Sequence, residues 1–246
     1  MKHIEISPYN PNWPSMYELE AARIKDALGD ELIELHHIGS TSVPGLSAKA
    51  VIDIIASVND FKTAIPLFES IDFEYRGEMH LPFRSYFRKG KLVNLHVYEK
   101  SSPEIALNLS FRNYLRCHPE SVQEYTQLKN QLLLNEASLV KNNTNYTGYN
   151  LGKDAFIRDI LNKAGFDQIR LMYCNHHYEW EQYHRIRKEQ IFNRNEVIYD
   201  PNHPSITDAN HFHFVLYKAT WVVSVAHIEL LNEKEAALRS LALDEL

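Results

Sequence analysis

Hydrophobic residues recur at helical spacing near the N-terminus and as short apolar runs farther along the chain. Ser15 and Glu18 have the spacing of a capping box, and Gly29 is the expected end of the helix that follows. The apolar stripe of this helix consists of Leu19, Ala22, Ile24 and Leu28. Residues 31–38 predict a strand, and residues 50–58 predict a buried one because this run is short, rich in isoleucine and valine, and broken by one aspartate.

The same two patterns continue to the C-terminus and restart near Asp167. Before that residue we expect helices at 61–70, 107–117, 119–136 and 153–164, and strands at 85–89 and 92–99. After it we expect strands at 169–174, 211–217, 221–228 and 236–243, and a helix at 179–192. The chain is therefore interpreted as two α/β (α+β) domains, residues 1–167 and 168–246, each with helices packed on a sheet.

Composition indicates an ordinary globular protein, with 44% hydrophobic and 24% charged residues. A net charge of −6 gives no reason to expect duplex nucleic acid as a partner. The two cysteines have no spacing typical of a zinc site or a redox pair. Without an apolar N-terminal stretch or a membrane-length apolar run, the expected location is cytoplasmic, with no membrane partner.

The candidate chemistry lies in the loop that precedes the buried strand. Gly39, Ser40, Thr41 and Ser42 open this loop, whose backbone N–H groups and hydroxyls suit phosphate oxygens. Lys49 adds positive charge, and Asp53 interrupts the apolar strand. A buried carboxylate needs a cation, a basic side chain or a metal, so Asp53 is either a ligand residue or a structural ion-pair partner. The bland alternative for the loop is an ordinary turn.

Arginines supply a second signal. Arg112 and Arg116 stand four residues apart and share one face of a predicted helix. Arg84 directly precedes the predicted strand 85–89, and it shares a face with Arg88 only if the strand is straight across that span. Because guanidinium groups bind phosphate and carboxylate groups through paired N–H donors, we expect Arg112 and Arg116 to face the same pocket as Ser40 and Lys49. The alternative is a solvated helix surface with salt bridges.

The loop 38–46, together with Lys49, Ile52 and Asp53, resembles the GrpB family of bacterial proteins. The resemblance continues through residues 94–97, 111–116, 118–120 and 146–153, together with Tyr125 and Lys129, and covers nearly all of residues 1–167. It implies a nucleotidyltransferase-like mixed sheet with a C-terminal helical part. In that superfamily a Gly-Ser turn accompanies carboxylates that bind Mg²⁺.

Carried over to this sequence, Ser40 and Asp53 are the implied catalytic residues, and Asp53 with His96 is the implied Mg²⁺ site. The same-facing position after Asp53 is Ile55, which is not acidic. The expected ligand-binding residues are Gly39, Ser40, Thr41, Ser42, Lys49, Arg84, Arg112, Arg116 and Lys153.

The expected function is binding of a nucleotide or another phosphorylated small molecule, with Mg²⁺-dependent nucleotidyl or phosphoryl transfer as the reaction that the resemblance implies. The alternative is a non-catalytic interaction module.

Residues 168–246 resemble the N-terminal half of a GNAT acetyltransferase. The segment contains no glycine, so no usual backbone nest for coenzyme A is expected, and this chain alone is not expected to bind acetyl-CoA. An acetyltransferase would require a separate chain that carries the coenzyme A loop. We expect the strand 236–243 to leave apolar surface for a second copy or a partner. His211 and His213 alternate along one strand and are interpreted as surface or hydrogen-bonded residues rather than metal ligands.

Overall fold

The structure, a computed structural model, describes residues 5–79, 81–135 and 148–245. The start of the run Tyr146–Lys153 and the expected helix end near Glu136 lie outside the described residues. The chain forms two compact units, Met1–Phe166 and Asp167–Leu246.

The first unit combines a five-stranded sheet with six helices among its described residues. The helices are α1 (Trp13–Leu28), α2 (Phe61–Glu69), α3 (Pro103–Cys117), α4 (Pro119–Leu134), α5 (Gly148–Leu151) and α6 (Asp154–Lys163). The strands are β1 (Leu32–Ile38), β2 (Ile52–Val58), β3 (Glu74–Tyr75), β4 (Ser85–Lys89) and β5 (Val93–Glu99). The order across the sheet is β1-β2-β5-β4-β3. Strands β2 and β5 are parallel and the other neighbours are antiparallel, so the sheet is mixed.

Strand β2 is central because both of its faces are covered. On one face, Ile52 and Ile54 belong to the main core with Trp13 of α1 and Phe68 of α2. On the other face, Ile55 packs in a separate core cluster that includes Ile105 of α3. Full burial of an isoleucine side chain contributes about 1.5–3 kcal/mol, which explains the nearly unbroken apolar run. Asp53 faces the same side as Ile55, near the start of the strand.

Two helices begin earlier than their hydrophobic patterns indicate. Helix α1 begins at Trp13 after Asn12, which makes no side-chain capping bond, and the predicted capping box at Ser15 is wrong. Proline is tolerated in the first helical turn, so Pro14 lies inside the helix and Ser15 follows it. For the same reason α3 begins at Pro103.

The second unit is a four-stranded antiparallel sheet with one α-helix in its described part. Its elements are β6 (Ile169–Tyr173), α7 (His177–Arg187), β7 (His211–Lys218), β8 (Trp221–Leu230) and β9 (Ala236–Leu243). Neighbours in the sheet follow chain order, and β9 is an edge strand. Leu238, Leu241 and Leu243 are 61–67% exposed along this edge. The GNAT resemblance and association through this strand stay predictions.

The described helices include none that combines the length and the apolar character needed to cross a lipid bilayer.

Candidate functional site

Asp53 lies under the glycine that opens the loop. In register, Asp53 pairs with Ile38 on β1 and with Asn94 on β5. Gly39 follows Ile38 with φ 68° and ψ −174°, a conformation that is essentially restricted to glycine. A Cβ atom at residue 39 would lie 2.5 Å from Oδ2 of Asp53. The glycine therefore allows the loop backbone to pass directly over the carboxylate.

Two of the loop hydroxyls are engaged inside the protein. The Ser42 hydroxyl donates to the Gly39 carbonyl at 2.6 Å, and the Thr41 hydroxyl donates to the Val51 carbonyl at 3.1 Å. His37 Nε2 lies 3.1 Å from the Thr41 oxygen and donates to it. Burial is the main cause that lowers the pKa of His37 to about 4, with the nearby Arg116 charge acting in the same direction. These bonds hold the loop in a single 3₁₀ turn, Ser40–Ser42.

A cavity of about 220 Å³ opens beside Asp53. Its walls are Ser40, Thr41, Ala48, Lys49, Val51, Asp53, Asn94, Tyr125, Lys129, Tyr149 and Lys153. Three of these side chains are lysines and one is a carboxylate, so the cavity is cationic when the lysines are protonated.

The lysines differ in burial and in partners. Lys129 of α4 is 2% exposed and donates to Ser40 Oγ at 3.3 Å and to the Ser47 carbonyl. Burial lowers the pKa of Lys129 to about 7. Lys153 is half-buried, and burial followed by the charge of Lys49 lowers its pKa to about 8, against the opposing effect of Asp53. At pH 7 and without an anion, the Lys129 amine is therefore only partly charged, whereas the Lys153 amine keeps most of its charge.

Aromatic rings support the three ammonium groups. Lys49 Nζ lies 4.9 Å and Lys153 Nζ 4.7 Å from the centroid of the Tyr149 ring. Lys129 Nζ lies 4.6 Å from the centroid of the Tyr125 ring. A cation over an aromatic face is stabilised by the ring quadrupole, so the rings position the charges without neutralising them.

A second hollow, of about 520 Å³, shares Asp53, Asn94 and Lys153 with the cavity. Gly39 lines it as well, and its remaining walls include Met79, Leu81, Arg84, Tyr86, His96 and Tyr98. The two spaces therefore meet at the Asp53 carboxylate. Lys49 and Lys129 line only the cavity, whereas the hollow is lined by aromatic, apolar and polar side chains and includes a second carboxylate, Glu104.

Arg84 fixes the orientation of His96. Its guanidinium is buried, donates to the carbonyls of Glu78 and Met79, and lies 3.1 Å from His96 Nδ1. His96 Nδ1 must accept from this cation, so the neutral ring carries its proton on Nε2, which lies 3.9 Å from Asp53 Oδ1. The Arg84 donors are thus directed at the protein rather than at a ligand.

These residues do not fit the expected Mg²⁺ site at Asp53 and His96. The Nδ1 lone pair of His96 is used by Arg84, and Mg²⁺ prefers oxygen ligands. Asn94 donates to Asp53 Oδ1 at 2.8 Å, and Ile55 is fully buried. Among the described residues no group of three or more histidine, cysteine, aspartate or glutamate side chains could hold a metal ion.

Arg112 and Arg116 do share one helix face, but neither lines the cavity or the hollow. Arg112 donates to the His37 carbonyl at 2.9 Å. Arg116 donates twice to the Ser42 carbonyl, at 3.0 and 2.7 Å. Both guanidinium groups donate to backbone carbonyls instead of facing the cavity, so the expectation that they face the pocket is wrong.

The sequence matched Tyr125, Lys129 and Tyr149 to the family resemblance, but these residues were not predicted to belong to the site. The available signal was position, because Lys129 follows Val122 and Tyr125 along the predicted apolar side of its helix. A lysine on an apolar helix face requires a polar partner when it is buried. Here that partner is the loop itself.

Comparison with known proteins finds a family and several relatives that are similar in sequence to the first unit. The family model described as GrpB protein matches residues 3–163. UPF0157 protein YqkA of Bacillus subtilis is 34% identical over 163 residues, 64% of this chain, and the chain spans 46% of that protein's length. UPF0157 protein BH1888 of Halalkalibacterium halodurans is 33% identical over 166 residues, which cover 65% of this chain and 82% of that protein.

A solved structure is also similar. The crystal structure of the conserved protein GrpB from Enterococcus faecalis matches with a TM-score of 0.57 and 37% sequence identity. The match covers 65% of this chain and 96% of the Enterococcus chain.

Proposed function

The chain belongs to the GrpB family over residues 3–163, and from this starting point we propose that its first unit binds a small phosphorylated molecule beside Asp53. The observation that carries the proposal is the wall of the 220 Å³ cavity, which presents Lys49, Lys129 and Lys153 against a single carboxylate. An anion with two negative charges would balance this excess of positive charge.

The burial of Lys129 and Lys153 supports an anionic ligand. Keeping an ammonium group out of water is unfavourable, and burial lowers the pKa of Lys129 to about 7 and contributes most to the value of about 8 for Lys153. A bound phosphate would favour the charged amines and would accept their hydrogen bonds. Ser40 Oγ and Asn94 line the same cavity and provide further polar contacts.

The adjoining hollow fits the rest of such a molecule. Asp53 lies where the two spaces meet and would accept hydrogen bonds from hydroxyl groups of a sugar or a similar body. Tyr86 and Tyr98 line the hollow and offer surfaces for a ring or an apolar group. A nucleotide or a sugar phosphate would satisfy both parts of this arrangement.

The proposal is for binding and includes no transfer step. Nucleotidyl transfer through Mg²⁺ needs carboxylates that the strand does not provide, since Ile55 occupies the same-facing position after Asp53. The nucleotidyltransferase-like architecture stays a prediction.

Isothermal titration of the whole chain in the presence of EDTA tests the proposal, with inorganic phosphate, a nucleoside monophosphate and a sugar phosphate as probes. We expect binding at one site and a loss of at least tenfold in affinity in Lys153→Met. Lys163→Met is the matched control, because Lys163 ends the helix that Lys153 directly precedes and forms an exposed ion pair with Asp159. No binding by any probe, or an equal loss in both variants, would overturn the proposal.

A further inference from the structure

A separate cavity, of about 450 Å³, lies in the second unit. Arg187, the last residue of α7, lines it together with Phe192, Ile198 and Tyr199 from the segment that follows. The sheet contributes His211, His227, Glu229 and Arg239. The walls therefore combine apolar side chains with several groups that carry or can carry charge.

Arg187 is a cation that is surrounded by aromatic rings. Its guanidinium carbon lies 5.1, 5.6 and 5.9 Å from the ring centroids of Tyr183, Phe192 and Tyr199. One terminal nitrogen donates to the Tyr183 hydroxyl at 2.9 Å, whereas Nε is buried and makes no hydrogen bond to any residue that the structure describes. Within the described part of the chain, no carboxylate forms an ion pair with Arg187. Aromatic rings hold a guanidinium in place but leave its charge and N–H donors for an anion.

The other side chains of the cavity that carry a full charge are Arg239, Glu229 and Asp200. Arg239 donates to Glu229, so this pair contributes no net charge. His211 Nδ1 and His227 Nε2 are 2.8 Å apart and share a hydrogen bond. Burial, with a smaller effect of His213, lowers the pKa of His227 to about 4, so this ring is neutral at pH 7. The Asp200 carboxylate accepts from the Asn202 backbone amide in an exposed part of the wall.

Apolar surface lies next to the Arg187 guanidinium. Ile198 is 93% exposed although it lines the cavity, and Phe192 lies against the Arg187 guanidinium. An isoleucine left in water is stabilised when another apolar group covers it. The surface thus offers one anion-binding group next to an apolar wall.

We propose that this cavity binds a small organic acid with one carboxylate and an aromatic or aliphatic body. The carboxylate would accept from the Arg187 guanidinium, and the body would cover Phe192 and Ile198. A dianion such as phosphate is disfavoured because two carboxylates, Asp200 and Glu229, line the same cavity as Arg187. An amine is disfavoured by the charge of Arg187. The site is independent of the lysine cavity of the first unit.

Isothermal titration of the whole chain with benzoate tests this site, and benzylamine serves as a probe of similar shape and opposite charge. We expect benzoate to bind, benzylamine not to bind, and Arg187→Gln to reduce benzoate affinity at least tenfold. Arg185→Gln is the matched control, because Arg185 lies on the same helix, outside this cavity, and pairs with Asp244. Its affinity should stay within twofold of the unmodified chain.

Three results would overturn the proposal: no benzoate binding at millimolar concentration, equal binding of benzylamine, or an equal loss in the two arginine variants. Benzoate binding that survives Arg187→Gln and is lost in Lys153→Met would place the acid in the first unit and would also overturn it.

A second variant keeps the test decisive if Arg187→Gln fails to fold. Ile198→Asp changes a side chain that is 93% exposed, so the fold should tolerate it. The added negative charge at the wall should reduce benzoate affinity at least fivefold, and the exposed Leu231→Asp should not change it. Unchanged benzoate binding in Ile198→Asp contradicts the proposal.

Discussion

We expect Gly39→Ala to disturb the candidate site more than the addition of a methyl group at any other position of the loop. The backbone at Gly39 has φ 68° and ψ −174°, and holding a residue with a side chain in this region costs about 1–3 kcal/mol. The new Cβ atom would also lie 2.5 Å from Asp53 Oδ2 and 3.1 Å from Asp53 Cβ. Rotating the carboxylate away would relieve only the first of these contacts.

Moving the carboxylate has its own cost. Asn94 donates to Asp53 Oδ1 at 2.8 Å, and a hydrogen bond to a charged group contributes about 1.5–3 kcal/mol. We therefore expect Gly39→Ala to lower the free energy of unfolding of the first unit by about 3–5 kcal/mol. Gly45→Ala is the matched control. Gly45 follows Pro44 in the same loop with φ 79°, but a Cβ atom added there would lie more than 4 Å from the described residues other than its two chain neighbours. Backbone strain alone predicts about 1–2 kcal/mol there.

Native-state hydrogen exchange of the Ile54 and Ile55 amides measures this difference in the whole chain, because both residues are fully buried in the central strand. In an Asp53→Ala background, where Oδ2 is absent, the cost of Gly39→Ala should fall toward that of Gly45→Ala. Equal costs for the two glycine variants, within about 0.5 kcal/mol, would show that the contact with Asp53 adds nothing to the backbone strain.

The remaining predictions concern the pH dependence of binding and stability, and the bonds made by two arginines. Sulfate, whose charge is constant between pH 6 and 9, should bind more weakly as pH rises through the pKa of about 7 of Lys129, and titration calorimetry at several pH values checks this. His37 has a pKa of about 4 in the folded protein against about 6.5 when unfolded, so stability is complete above pH 6.5 and falls by on the order of 3 kcal/mol as pH drops to 4. Urea titrations of His37→Phe should show a flatter pH profile. Arg116→Gln should cost about 1.5–3 kcal/mol in urea titrations, because the bonds to the Ser42 carbonyl are lost. Replacing Arg23 to remove its exposed ion pair with Asp72 should lower the free energy of unfolding by less than about 1 kcal/mol, measured in the same urea titrations.

The helices and strands of the first unit could be predicted where a local hydrophobic pattern is enough to determine them. The run 50–58 contains β2 because burial on both faces requires a continuous apolar strand, and Asp53 stood out as the polar interruption. The helix starts could not be predicted as well. Pro14 and Pro103 extend the helices N-terminal to their hydrophobic stripes, and periodicity carries no information about that first turn.

The residues of the site depended on contacts that no local pattern encodes. Lys129 reaches Ser40 across 89 positions of the chain, so its role is set by how α4 packs on the loop. Helical spacing placed Arg112 and Arg116 on one face correctly, but it could not tell whether that face meets a ligand or backbone carbonyls. The loop carbonyls at His37 and Ser42 are what these guanidinium groups meet.

The position of a bound tetrahedral anion decides whether the lysine cavity is a phosphate site. Crystals of the whole chain soaked with tungstate, a heavy analogue of phosphate, would show its position through anomalous scattering. We predict a peak in the 220 Å³ cavity, within hydrogen-bond distance of Nζ of Lys129 and Lys153. Tungstate found on other surfaces of the first unit, with none in this cavity, would contradict the proposed site.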